Sequence, residues 1–199
     1  MLRSRRASGS ESLMIGISFN CEGKELMFRT KGNGKEDATY HKRMILHIAE
    51  IDVGAAIVIG AMYFEWAIKR AVLALGSSPV STLNEMYRHG EDGQKLGMDK
   101  LKKLWKEELR GCVGCTSLSD YFDSKKNKRS FGRLKLTWRD LERARKLRNN
   151  IVHGGRCSPP PQNGIDYVEL EIAAAEELAK LVETRTRKSI YNPIRRKCK

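Results

Sequence analysis

Apolar residues recur at steps of three and four along most of this chain, which is the period of an amphipathic helix. The longest such run covers residues 36–75 and predicts one long helix with a break near Gly54 or Gly60. Further helices are predicted over residues 80–87, over 98–109 with an end at Gly111, from a cap at Thr137 to a stop at Gly154, and over 166–187. The pattern predicts an all-α fold, a helical bundle.

The segments between and outside these helices have a different composition. Residues 13–30 flank a glycine-containing turn and predict a short β-hairpin. Residues 111–131 predict a loop with a short element at 118–122, and residues 157–164, with three consecutive prolines, predict a turn. We therefore divide the chain into an N-terminal arm with the hairpin (1–35), a helical domain (36–188) and a basic C-terminal tail (189–199).

The charge of the chain is strongly positive, since 38 Lys and Arg residues stand against 24 Asp and Glu residues and give a net charge of +14. A surplus of this size attracts polyanions, and a nucleic-acid backbone is the commonest of these inside cells. An anionic membrane surface is the competing partner, and a charge bias without any ligand is the simplest alternative.

The cysteines and the apolar stretches bear on compartment, membrane and metal. Five cysteines at irregular spacing argue against a secreted disulfide framework and favour a reducing cytoplasm. The longest apolar stretch, residues 53–64, is well short of the roughly 20 residues that span a bilayer. Cys112 and Cys115 form a C-x-x-C pair whose nearest further ligands, His153 and Cys157, are far along the chain. We therefore expect neither a metal nor another cofactor, and a zinc-dependent role through Cys112, Cys115 and Cys157 is the weaker alternative.

The helix that opens at Thr137 carries the candidate chemistry. On a helical wheel, at about 100° per residue, the apolar residues share one arc, the predicted core face: Leu141, Ala144, Leu147 and Ile151. His153 falls nearly opposite that arc, and Asn149 lies about 40° from His153. Arg148 lies at the edge of the core face. His153 and Asn149 are therefore predicted to share an exposed face. The alternative is that Arg148 and His153 only oppose the helix dipole in the last turn.

The segment Arg148-Asn149-Asn150-Ile151-Val152-His153-Gly154 resembles the motif of the HEPN superfamily, in which an Arg, a polar residue and, several positions later, a His close a helix. The order of helices is similar too, because HEPN domains are bundles in which a long early helix packs against the motif-bearing helix and one more helix follows. The resemblance covers residues 36–188 and implies a HEPN-like helical bundle.

The resemblance also implies an activity. Many HEPN proteins are metal-independent endoribonucleases that act as homodimers, with two motifs facing each other across a composite active site. Here this implies attack of an RNA 2′-hydroxyl on the adjacent phosphate, with His153 as general acid or base, Arg148 holding the phosphate and Asn149 orienting either group. Glu65 interrupts an apolar stretch and is expected either to pair with Arg148 or another motif Arg, or to face solvent.

The charge near the motif indicates where RNA would be bound. Residues 125–148 contain eleven Lys and Arg and two Asp and Glu, a net charge of +9. Such a run is predicted to bind the phosphate backbone of RNA. The alternative is that it forms a solvated helix face without a ligand. The candidate RNA-binding residues are Lys125, Lys126, Lys128, Arg129, Arg133 and Arg145.

Two other functions stay open at this point. The chain could be a catalytically silent HEPN module that binds RNA or protein, or a basic helical DNA-binding protein in which the motif is only a helix cap. The resemblance further suggests a toxin or antiviral defence effector, for which an inhibitory protein would be an additional partner.

Overall fold

The computed structural model describes residues 34–79, 82–83, 97–114, 117–124, 129–153, 161–192 and 194. This part of the chain is mostly helical, which confirms the all-α prediction. Its helices and strands are α1 (Gly34–Ile51), α2 (Val53–Leu75), α3 (Met98–Val113), α4 (Leu118–Asp123), β1 (Ser130–Phe131), β2 (Leu134–Lys135), α5 (Trp138–Val152) and α6 (Pro161–Thr186).

Helix α2 is the centre of the fold. It packs against α1, α3, α5 and α6, and its contact with α6 is the most extensive. Its sequence is apolar on nearly every face, as expected for a helix that other helices enclose. The largest fully buried side chains of the core include Ile57, Tyr63, Ile68, Trp105, Phe122, Leu170 and Leu178.

The break in the predicted long helix lies at Asp52, two residues before Gly54, and so near the first of the two predicted positions. Asp52 has an extended backbone, and its carboxylate accepts a hydrogen bond of 3.0 Å from the backbone N–H of Ala55. Asp is a strong N-cap because this bond satisfies a free N–H of the first turn. Both glycines stay helical, so residues 36–75 form two helices joined at a cap.

The other helix ends follow capping chemistry with two corrections. Helix α5 begins as predicted, because the Thr137 hydroxyl accepts a hydrogen bond from the backbone N–H of Asp140. Helix α3 continues past Gly111 and ends where Gly114 takes a φ of +71°, a left-handed conformation that favours glycine. Helix α6 begins at Pro161 and not near residue 166, since proline is well tolerated in the first helical turn.

A small antiparallel hairpin precedes α5, and the sequence analysis does not predict it. Its strands pair Ser130 with Lys135 and Phe131 with Leu134. Gly132 lies in the connecting turn with a φ of +53°, which explains why glycine occupies this position. The short element predicted at residues 118–122 is confirmed as α4.

The chain beyond α6 folds back onto α2. Tyr191 is buried, and its hydroxyl forms a hydrogen bond with the hydroxyl of Tyr63. Arg70 of α2 donates hydrogen bonds to the backbone carbonyls of Ile190, at 2.9 Å, and Asn192. This segment therefore packs against the helical domain.

Several predictions fall outside the described residues. These are the N-terminal arm with its hairpin, most of the helix at 80–87 and the last residues of the basic tail. Thr82 and Leu83 of the 80–87 segment are helical, and Leu83 is buried. No helix within the described ranges has both the length and the apolar composition needed to cross a bilayer.

Glu108 of α3 holds the segment that follows α2. Its carboxylate accepts hydrogen bonds from the hydroxyls of Ser77, at 3.0 Å, and Ser78, at 2.6 Å, and from the Ser78 backbone N–H at 2.8 Å. Burial opposes the ionisation of Glu108, but the hydrogen bonds from Ser78 and Ser77 outweigh it and hold its pKa below the ordinary value.

We predict that Glu108→Gln lowers the free energy of unfolding by about 1 kcal/mol at neutral pH, because a charged acceptor of three hydrogen bonds is lost. A lowered carboxyl pKa stabilises the fold above the unfolded pKa, and this stabilisation is lost as pH falls through the folded pKa. Urea titrations should therefore show that the difference in the free energy of unfolding between wild type and Glu108→Gln shrinks below pH 4.5, the ordinary pKa of a glutamate. Glu107→Gln, at an exposed neighbour, is the control, and equal losses in both variants would contradict this role for Glu108.

Candidate functional site

The candidate site lies at one end of the bundle, where the last turn of α5 meets the first turn of α2. Arg148 and Asn149 lie in that last turn, and His153 is the C-cap residue, whose backbone N–H donates to the carbonyl of Asn149 at 3.0 Å. A Cβ built on Gly54 of α2 would lie 4.0 Å from Cγ2 of Ile151. The junction of α1 and α2 therefore flanks the motif.

Arg148 is half-buried, and only some of its hydrogen-bond donors have partners among the described residues. Its Nη1 donates a hydrogen bond of 2.9 Å to the side-chain oxygen of Asn149. Its Nε is buried and has no hydrogen-bond partner among the described residues. A guanidinium with a free buried donor retains hydrogen-bonding capacity for an anion, since protein groups do not use all of it.

Two glutamates lie near Arg148: Glu171 on α6 is buried, and Glu65 on α2 is half-buried. Glu171 is 2% exposed, and its Oε2 has no hydrogen-bond partner within the described ranges. Burial raises the pKa of Glu171 well above its ordinary value, the charge of Glu65 raises it further, and Arg148 lowers it. Burial also raises the pKa of Glu65, against the opposing charges of Arg148, Lys69 and Arg145. Arg148 is thus the cation that acts on both carboxyl groups.

The close approach of α2 and α6 accommodates Glu171. A Cβ built on Gly60 of α2 would lie 2.7 Å from Oε2 of Glu171, which is closer than such contacts occur in proteins. A small cavity adjoins this point, and its lining includes Glu65, Glu142, Arg145 and Glu171. The glutamate pair therefore lies inside the bundle, next to the inner side of α5.

His153 lies on the surface, apart from these glutamates. Its imidazole makes neither a hydrogen bond nor an ion pair within the part of the chain that the structure describes. Val152 beside it is 50% exposed, and Ile51 at the α1–α2 junction is 77% exposed. The structure thus places Arg148 beside Asn149 and Glu65, and it leaves His153 free at the end of the helix.

The exposure of the motif follows the wheel in part. His153 is exposed, as the wheel predicts, whereas Asn149 is only partly exposed because its side chain holds Arg148. Glu65 is mostly shielded within the apolar stretch of α2, and it interacts with Arg148 electrostatically. No direct ion pair joins these two residues among the described contacts.

The predicted RNA-binding residues divide into three groups. Arg129 forms an ion pair of 3.0 Å with Glu176, and Arg145 forms one of 3.0 Å with Glu142. Each of these glutamates also pairs with a lysine, so each carboxylate is shared between two cations. Arg133 is exposed, with no ion pair among the described residues. The remaining predictions lie outside the described residues: Lys125, Lys126 and Lys128.

Sequence reasoning misses Glu171, although a signal for it exists. Glu171 falls on the buried face of α6, in step with a run of buried residues at three- and four-residue spacing: Gly164, Val168, Ala175, Leu178 and Val182. A carboxyl group at a core position of an amphipathic helix indicates a buried acid. Its nearness to Arg148 depends on the packing of α5, which no local pattern encodes.

Only one cysteine of the C-x-x-C pair is among the described residues. Cys112 is an exposed free thiol, whereas Cys115 and Cys157 lie outside those residues. Within the described ranges, no group of three side chains is arranged to hold a metal ion.

No family model matches the chain, and comparisons with curated proteins and with solved structures give no significant match either.

We predict that Glu171→Gln stabilises the protein, and that the gain grows with pH. A raised carboxyl pKa favours folding below the unfolded pKa, and this contribution is lost as pH rises toward the folded pKa. The side chain of Gln has the same shape and stays neutral, so the variant does not lose this contribution to the free energy of unfolding as pH rises. Urea titrations from about pH 5 to about pH 8 should show the gain increasing by about 1 kcal/mol or more. Glu169→Gln, exposed on the same helix, should show no such trend, and a gain that does not depend on pH would contradict the buried acid.

Proposed function

We propose that this protein is a metal-independent endoribonuclease whose RNA substrate attacks itself through a 2′-hydroxyl, leaving a 2′,3′-cyclic phosphate and a 5′-hydroxyl. The observation that carries the proposal is the arrangement at the end of α5. A half-buried Arg148, close to the buried Glu171 and the half-buried Glu65, is followed five residues later by an exposed His153. The resemblance of residues 148–154 to the HEPN motif supports the assignment of the reaction.

His153 would transfer the protons. Imidazole can donate or accept a proton near neutral pH, so it can deprotonate the attacking hydroxyl or protonate the leaving oxygen. Its exposure at the helix end leaves it accessible to a substrate as large as RNA. No metal is required for this reaction, because the nucleophile belongs to the substrate.

Arg148 would bind the scissile phosphate. Its planar guanidinium presents paired donors that match phosphate oxygens and can stabilise the charge that develops in the transition state. Asn149 accepts a hydrogen bond from Nη1, and Arg148 favours the ionised form of Glu65 and Glu171 against the effect of burial. These interactions restrict the orientation of Arg148 before substrate arrives, which lowers the entropic cost of the reaction.

A second copy of the chain would complete the site. The reaction needs both a base and an acid, and the end of α5 offers one imidazole. The exposed apolar side chains of Val152 and Ile51 lie at the same end of the bundle, where a second copy would cover them. We therefore include a homodimer with two facing motifs in the proposal.

The proposed biological role is that of a toxin or defence effector, with an inhibitory protein as a further partner.

One observation favours a second candidate function. Within the described residues, His153 makes no hydrogen bond with Arg148, and a catalytically silent module that binds RNA or protein needs none. This candidate function requires the basic surface of the domain but not the imidazole. RNA cleavage that is lost when His153 is mutated therefore distinguishes the ribonuclease from the silent module.

We predict that His153→Ala reduces RNA cleavage by at least about 100-fold, because the proton-transferring group is removed. Binding of the same RNA should be unchanged. The assay uses purified protein in EDTA with a mixed RNA pool and identifies the product ends. His47→Ala is the matched control, since His47 is also exposed but lies on α1, where it pairs with Glu50 at 3.2 Å. Cleavage by His153→Ala at the wild-type rate would rule out the proposed role, and RNA binding by wild-type protein without cleavage would favour the silent module.

A further inference from the structure

The outer face of α5 carries a continuous row of exposed polar side chains that ends at His153. At about 100° per residue, these positions lie within about 80° of one another, so the row runs straight along the helix. We name it the α5 stripe, and its members are Arg139, Arg143, Lys146, Asn150 and His153.

The positive charge of the α5 stripe is largely uncompensated. Arg139 and Lys146 form no ion pair with any acidic residue among those described. Arg143 pairs with Asp140 at 2.9 Å but remains 49% exposed. Arg145, which lies off the stripe, is paired and lines the cavity next to Glu65 and Glu171. Helix α5 thus holds its free cations on the solvent side.

We propose that the α5 stripe binds the phosphate backbone of a single-stranded RNA and leads it to His153. The proposal rests on the ribonuclease function proposed above. Arg139 and His153 are separated by about 21 Å along the helix, at about 1.5 Å per residue. The stripe is therefore long enough for on the order of five nucleotides, the lower end of the range for single-strand binding sites.

The proposed reaction favours a single strand over a duplex. Successive members of the stripe are about 4.5 to 6 Å apart along the helix axis, a spacing that lets neighbouring side chains contact neighbouring phosphates. Attack of a 2′-hydroxyl on the adjacent phosphate requires the reacting atoms to align, and a single strand can leave the stacked helical conformation to do so.

The order of residues along the stripe also fits the proposed chemistry. Its first three members are cations that can hold the backbone, and its last member is the imidazole that would transfer protons. The predicted RNA-binding residues Arg129 and Arg145 are not part of the stripe, since Arg129 precedes α5 and Arg145 lies on another face of the helix. The cations of the stripe would thus bind the strand, and His153 at the end of the same helix face would transfer the protons.

The test measures binding in the absence of cleavage. The probe is a fluorescein-labelled oligodeoxythymidine of about 12 nucleotides. It has no 2′-hydroxyl, so the proposed reaction cannot cleave it. The stripe variant is Arg139→Ala with Lys146→Ala in the full chain. The control variant is Lys180→Ala with Arg185→Ala, which removes the same charge from exposed positions on α6.

We expect the stripe variant to bind the probe about tenfold more weakly than wild-type protein. The slope of log Kd against log salt should fall by about 1.4, because each lost phosphate contact on a single strand removes about 0.7. The control variant should keep the wild-type slope. With RNA as substrate, the stripe variant should show a raised KM and a nearly unchanged kcat.

Two results would overturn the stripe proposal. Equal losses in both variants would show that only net charge matters. Unchanged oligonucleotide binding by the stripe variant, with loss of binding to phosphatidylserine vesicles, would identify a membrane surface as the ligand instead. A wild-type protein that binds the probe through the stripe but never cleaves RNA would support the stripe and overturn the ribonuclease proposal alone.

Discussion

Helix α6 can lie against α2 at this distance only because Gly60 has no side chain at the point where Glu171 is buried. The α2–α6 contact is the most extensive in the described fold, and other small residues, among them Ala67, Ala71 and Ala174, are buried in these two helices. Small side chains let helix axes approach closely. Because α1, α3 and α5 all pack against α2 as well, the positions of the remaining helices depend on this contact.

The same contact places an acid in the core, which is costly for stability. A buried carboxyl group without a hydrogen-bond partner destabilises the fold unless it keeps its proton or meets a cation. An apolar side chain of similar size is often the more stable alternative at such a position. Glu171 is retained here beside Glu65 and within reach of Arg148. Perturbed carboxyl groups cluster at functional sites, so the position of this pair next to the motif supports a functional interpretation.

Helix α5 joins the interior of the domain to its surface. Its inner side holds Arg148 against Asn149 and near Glu65 and Glu171, while its outer side carries the exposed cations of the α5 stripe. His153 stands where these two sides end, at the C-terminus of the helix. A strand bound along the outer side would therefore reach the imidazole and, through a second copy of the motif, an arginine oriented from within.

The sequence by itself determined the features that depend on residues a few positions apart. The amphipathic period located the helices, the Thr137 cap began α5, and the wheel predicted the exposure of His153, because these follow from local backbone geometry and side-chain spacing. Only the tertiary structure decided which charges are buried or paired. Arg129 meets Glu176, 47 positions away, and Glu171 meets Gly60 on another helix. Such pairs depend on how the helices pack together, and no pattern of neighbouring residues encodes that packing.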